Sequence, residues 1–165
     1  MNLITQVVGL IAFIFLTISF TKKNKKEIIK YQIASSSIFT LHYILLNAVG
    51  GIVTSLIILF RNILYYKCPS KQKKLSNICI ILFIISGIIF FDVWYTLIPM
   101  IGGSVNTFLM TKGKKQVLIG GMVNSASWFT YNILAGSYIG VITESIIILT
   151  TLKNIKKTHK WVFLL

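Results

Sequence analysis

The stretch 128-WFTYNILAGSYIGVITESIIIL-149 holds a glutamate, Glu144, in a run otherwise suited to hydrocarbon. Ala135-Gly136-Ser137 breaks the stretch, and beyond the break it stays largely apolar until Lys153. Crossing ~30 Å of hydrocarbon takes about 20 helical residues at 1.5 Å each, and this segment is close to that length. A charge at the centre of such a span costs about 2.5–3.5 kcal/mol on insertion scales. The residue therefore faces a partner or a cavity, and which of the two it is decides the architecture around it.

Composition agrees with a membrane chain. Of 165 residues, 55% are apolar and 12% charged, with mean hydropathy +0.81. A soluble domain of this size cannot hide that much apolar surface. The first apolar block has no basic leader and no small-residue cleavage site, so it reads as a retained helix. Cys68 and Cys79 have neither metal-site nor disulfide-framework spacing. No cofactor and no metal are expected.

Cutting the chain at charges and turn residues gives seven spans, at about 3–21, 28–46, 50–66, 75–91, 94–111, 116–135 and 138–155. In lipid the backbone must satisfy its own hydrogen bonds, so these are helices. All 17 Lys and Arg fall after the first, third, fifth and seventh spans or at their ends. The opposite connections carry Asn47-Ala48-Val49, Asp92 and Ala135-Gly136-Ser137, with no basic residue. The positive-inside rule then predicts the N-terminus outside and the C-terminus in the cytoplasm. The net charge of +14 is an orientation signal with some attraction to anionic lipid, rather than a nucleic-acid footprint.

The chain also repeats. Shifted by 89 positions, residues 9–64 lie on 98–153 without a gap. Lys23, Lys25 and Lys26 fall on Lys112, Lys114 and Lys115; Ser36 falls on Ser125, Phe39 on Trp128, and Gly51 on Gly140. Ten of the 56 pairs are identical, and the loops, breakers and charge runs coincide. The expected fold is all-α: two parallel three-helix repeats, 1–67 and 93–157, joined by a linker loop and fourth helix at 68–92, with a tail at 158–165. An odd linker orients both triplets alike, and in that plan the substrate site lies between the repeats near mid-membrane.

Several polar residues have ordinary packing roles. Ser35-Ser36-Ser37, Ser125-Ala126-Ser127 and Gly102-Gly103-Ser104 let helices approach closely. Pro99 removes a helix hydrogen bond and is expected to free a carbonyl or kink the fifth span. Glu144 lies about six residues below the outer end of the last span, ~9 Å deep. One expectation is a polar cluster of Glu144 with His42, Asn132 and Tyr131; the other is a structural pair with Arg61. Asn132 and Trp128 share a helical face, where an amide can bond a polar ligand and an indole can stack on it. Asn106 offers a second amide from deeper in the membrane, or a bond between helices.

These residues carry a resemblance. Gln6-x-x-Gly9-x-x-Ala12-Phe13, Gln32, His42, Arg61, Pro99-x-Ile101-Gly102 and Trp128-x-x-x-Asn132-x-x-Ala135-Gly136-Ser137, followed by Gly140 and Glu144, resemble the YgjV family of bacterial inner membrane proteins. That family is similar in plan to the SWEET, semiSWEET and PQ-loop transporters. The resemblance implies a three-plus-one-plus-three fold in the inner membrane and facilitated movement of a small solute. It departs from those transporters in its prolines: only Pro99 stands in a span, its repeat partner is Leu10, and there is no Pro-Gln dipeptide. Glycines such as Gly102 and Gly140 are then the candidates for bending.

The reading is a carrier for a small polar solute that is sugar-like, nucleoside-like or vitamin-like. Glu144, Asn132, Trp128, Asn106, His42 and Tyr131 would line its pocket, and Glu144 would orient the ligand or carry a proton. The alternative is a non-transporting scaffold or accessory subunit. One Glu and one intramembrane His, without a nucleophile motif, are too thin a kit for an enzyme. Expected partners are the solute and the bilayer, not nucleic acid; a homo-oligomer is compatible with the sequence.

Overall fold

The computed structural model describes residues 3–22, 24–90, 93–112 and 114–162; Lys23 and Asp92, two members of the expected charge pattern, lie outside the described residues. The described chain is all helical. Its α-helices are α1 (Leu3–Thr21), α2 (Lys25–Leu45), α3 (Val49–Lys67), α4 (Gln72–Ile89), α5 (Leu97–Leu109), α6 (Lys114–Leu134) and α7 (Tyr138–Val162). Two 3-10 turns, Pro69–Lys71 and Trp94–Thr96, precede α4 and α5.

Helix ends follow local chemistry. Asn24 caps α2, its side chain accepting the Lys26 N–H at 2.9 Å, so α2 begins three residues before the expected apolar span. α7 continues to Val162, through most of the expected tail. Pro99 does not kink a long span. It is the third residue of α5, where backbone N–H groups have no helical partner to lose. The expected 94–111 span is instead a 3-10 turn followed by a helix of 13 residues.

The α2–α3 and α6–α7 connections are the same turn. Asn47 (φ 52°) and Gly136 (φ 72°) are the described residues with left-handed φ, and they are 89 positions apart. Around Asn47, the Ala48 N–H donates to the Tyr43 carbonyl (3.0 Å) and the Asn47 N–H to that of Ile44 (3.0 Å). Around Gly136, the Ser137 N–H donates to the Asn132 carbonyl (2.9 Å) and the Gly136 N–H to that of Ile133 (3.4 Å). Both are Schellman caps, which need a left-handed residue; asparagine meets that need in one and glycine in the other.

The packing is inverted relative to a soluble protein. Large aliphatics face outward, among them Leu3, Leu56, Ile84, Ile88, Ile101 and Ile142. The interior is rich in Thr5, Ser35, Thr54, Ser55, Asn62, Thr107, Asn132 and Thr143. Lipid can cover an apolar exterior, and small polar side chains let helices approach and bond. Val49–Lys67 and the stretch Pro69–Ile89 are each long and apolar enough alone to cross a membrane, while Leu3–Ser19 is a shorter apolar helix. Polar residues such as Lys30, Gln32 and His42 in α2 and Asn124 and Asn132 in α6 lower the average there, and α5 is short.

α2 packs on α1 and α3, α6 packs on α5 and α7, and α4 lies against α3 and α5. The hydroxyls of Tyr65 and Ser76 join α3 to α4. α1 meets α7, where the Ile139 N–H donates to Gln6 Oε1 at 3.2 Å, and α3 meets α5. The Lys26 ammonium in the first turn of α2 lies over the Tyr66 ring in the last turn of α3, at 5.3 Å, so these two helices run antiparallel.

Candidate functional site: a polar cavity between α2, α3, α6 and α7

A cavity of about 280 Å³ lies where α2 and α3 face α6 and α7, with Leu16 of α1 and Asn106 of α5 at its sides. Much of its wall comes in pairs 89 positions apart: Ser36 and Ser125, Phe39 and Trp128, Tyr43 and Asn132, Ser55 and Glu144, Ile58 and Ile147, Asn62 and Thr151. One of these pairs is bonded directly. The Tyr43 hydroxyl donates to Asn132 Oδ1 at 2.8 Å, between α2 and α6.

That bond marks one end of the cavity. Above it, toward the two Schellman turns, Tyr43, Trp128 and Tyr131 form a buried aromatic cluster flanked by Tyr95 and Phe39. The rings of Tyr43 and Trp128 stack with centroids 5.2 Å apart, and Tyr131 meets Trp128 edge-on at 5.7 Å. The Tyr131 hydroxyl accepts the Gly51 N–H at 2.7 Å, tying α6 to the start of α3. At the other end the wall runs on to Met110, Val117 and Thr151, close in sequence to Lys112, Lys114 and Lys153. The cavity is thus closed near the lysine-poor turns and extends toward the lysine-bearing ends.

Glu144 lines this cavity, with the Ser125 side chain near its carboxyl group. Its Oε2 is sealed and has no hydrogen-bond partner. Two more polar atoms of the wall are sealed and unpaired: Asn132 Nδ2 and Asn124 Oδ1. Arg61 lines the same cavity but does not clamp Glu144. Its Nη1–H donates to Thr107 Oγ1 (2.9 Å), and its Nε–H and Nη2–H donate to Asn62 Oδ1 (3.4 and 3.2 Å). Gly140 makes room for the amide, because a Cβ there would collide with the Asn132 side chain. Among the described residues no three His, Cys, Asp or Glu side chains gather.

His42 is not part of the cavity wall. Its Nδ1 lies 2.8 Å from the Thr5 carbonyl and its Nε2 2.8 Å from Ser137 Oγ, and it is fully buried. A carbonyl only accepts, so in the neutral ring Nδ1 carries the proton and Nε2 accepts from Ser137. Ser137 Oγ in turn accepts the Gly140 N–H at 3.2 Å. This relay matches, at the 89-residue spacing, the bond from the Gly51 N–H to the Tyr131 hydroxyl: residue 131 is 42 plus 89, and 140 is 51 plus 89. The longer tyrosine reaches its glycine directly, while the shorter histidine needs a serine between.

The sequence model of the Imp-YgjV family, described as a bacterial inner membrane protein, matches residues 3–161. The chain belongs to the YgjV family. It is therefore a protein of the bacterial inner membrane, which accounts for its apolar exterior and polar interior. No curated protein and no solved structure matches it.

In this YgjV protein the structure brings Glu144, Asn132, Trp128, Asn106, Arg61 and Gly140 to one cavity. Tyr131 stands just behind the wall, in the aromatic cluster, and His42 is committed to bonds among α1, α2 and α7's approach. Buried Pro99 and Gly102 serve α5 packing; a Cβ at Gly102 would collide with Ser127 of α6. Sequence reading missed Tyr43, Asn124 and Asn62 as wall residues. The 89-residue shift contained the signal for Tyr43, since it falls on Asn132, but the two residue types differ.

Proposed function

We propose that this YgjV protein is a carrier for a small polar solute, built as two like-oriented halves, α1–α3 and α5–α7, joined by α4. The observation that carries the reading is the cavity whose wall is paired at the repeat spacing and which holds a buried carboxyl oxygen without a partner. The identical turns at Asn47 and Gly136 support it, as does the packing: shifting α1–α7 by the repeat gives α5–α3, and both contacts exist. Residues that meet their own counterpart, as Tyr43 meets Asn132, belong near a two-fold axis. An axis along the membrane normal is the parallel-repeat plan, similar to that of the SWEET and PQ-loop transporters.

In this reading the N-terminus is outside and the lysine-bearing ends face the cytoplasm. The cavity then stands open toward the cytoplasm and closed outside by the Tyr43–Asn132 bond and the Trp128 stack. Solute would rest against Trp128, Asn132, Asn106 and Glu144, and rocking of one half on the other would break the outer closure. No catalytic step is assigned to the cavity. A scaffold or accessory subunit would give its unpaired polar atoms no task.

Purified protein in proteoliposomes tests the reading. Uptake of a cavity-sized solute is expected with the wild type and is expected to be lost in Glu144→Gln, with the melting temperature retained. A folded Glu144→Gln protein that transports as the wild type does would remove Glu144 from the mechanism.

A further inference from the structure

Resting on the carrier reading, we infer that the solute is an organic cation: a small protonated amine carrying a flat apolar ring and one hydrogen-bond acceptor. The charges around the cavity are not equivalent. Arg61 is hydrogen-bonded to two side chains and lies 6.0 Å from the Tyr65 ring, so its guanidinium already has partners. Glu144 has only Ser125, and its Oε2 has nothing. An unpaired carboxylate away from water is costly, and a cation placed beside it offsets that cost.

The other unpaired atoms fit the same ligand. Asn124 Oδ1 is an unpaired acceptor next in sequence to Ser125, whose side chain lies near the Glu144 carboxyl group. Two acceptors near one level of α6 suit an ammonium, which has three donors and no acceptor. Asn132 is 1% exposed, its Oδ1 is taken by Tyr43, and its Nδ2 is a buried donor with no partner. It asks for an acceptor on the ligand about two turns of α6 from Asn124. Between them, three residues beyond Ser125, stands the Trp128 indole, a face for an apolar ring and for cation–π contact. The volume of about 280 Å³ sits at the low end of ligand pockets and suits a single-ring solute.

The experiment compares tyramine with tyrosol, which replaces the ammonium by a neutral hydroxyl on the same ring. Binding is titrated calorimetrically to the full chain in nanodiscs, as wild type and as Glu144→Gln. Tyramine is expected to bind at least about tenfold tighter than tyrosol to the wild type, and the preference is expected to vanish in Glu144→Gln. The wild-type comparison stands even if the variant fails to fold. Tyrosol binding as well as or better than tyramine overturns the cation assignment and leaves the carrier intact. If neither binds, the cation assignment also falls. The carrier is then judged separately, by whether a cysteine at Gly121 in the cavity wall reacts from both faces of the membrane.

Discussion

Glu144 is tolerated because the cavity, not lipid, receives it. Its counterpart at the 89-residue spacing is Ser55, so this pair of wall positions carries a hydroxyl at one and a carboxyl at the other. Glu144→Gln keeps shape and removes charge, which is why loss of uptake without loss of fold is the expected result. Gly140→Ala should act through its neighbour. The added methyl collides with the Asn132 amide and must displace it, at a cost of about 1–3 kcal/mol, read as a lower melting temperature and weaker solute binding. His42→Ala should behave differently. It strips partners from the Thr5 carbonyl and from Ser137, two buried groups worth about 1–3 kcal/mol each, so thermal stability should fall while solute affinity in the remaining folded protein is unchanged. Loss of affinity ahead of stability would put His42 back in the binding site. Sequence alone could not separate His42 from Glu144. Both lie in the part of their helix nearest a Schellman turn, and only the folded structure shows that the ring nitrogens are already occupied.

At the scale of elements, most boundaries were readable because each has a local cause. Lysine runs, the Asn24 cap and the left-handed residues at 47 and 136 all stand in the sequence. α5 was misread because a proline in an apolar run looks like a kink until its distance from the helix start is known. Pro99 sits in the first turn, where no intrahelical bond is lost, so Pro99→Ala should change stability by less than about 1 kcal/mol and leave uptake intact. A larger loss in a denaturation series would show that α5 draws on the proline for more than its start. The matching Schellman caps explain why residue types can diverge between halves while geometry holds: the turn needs a left-handed residue, and both Asn and Gly provide one.

At the scale of the molecule, the repeat spacing was the most informative feature of the chain, and its value lay in register rather than identity. It set Phe39 opposite Trp128 and Ser36 opposite Ser125, and all four reach the cavity. What it left unread was which paired positions bond across the halves, since Tyr43 and Asn132 share no chemistry beyond complementarity. In the proposed carrier, the outer closure rests on that bond and the adjoining stack. Tyr43→Phe keeps the stack and removes the bond, worth about 1 kcal/mol, and so should raise the outward-open population several-fold.

Cysteine accessibility measures this most directly and needs no knowledge of the solute. Gly121 lines the cavity, and a Cβ there meets nothing within 4 Å, so Gly121→Cys, made without Cys68 and Cys79, adds a thiol at little steric cost. A membrane-impermeant thiosulfonate is expected to label it quickly from the cytoplasmic face and slowly from the outer face, with outer labelling quickened by Tyr43→Phe. A thiol that reacts from neither face, or from the cytoplasmic face alone whether or not Tyr43 is replaced, would contradict a cavity that opens alternately to the two sides of the membrane.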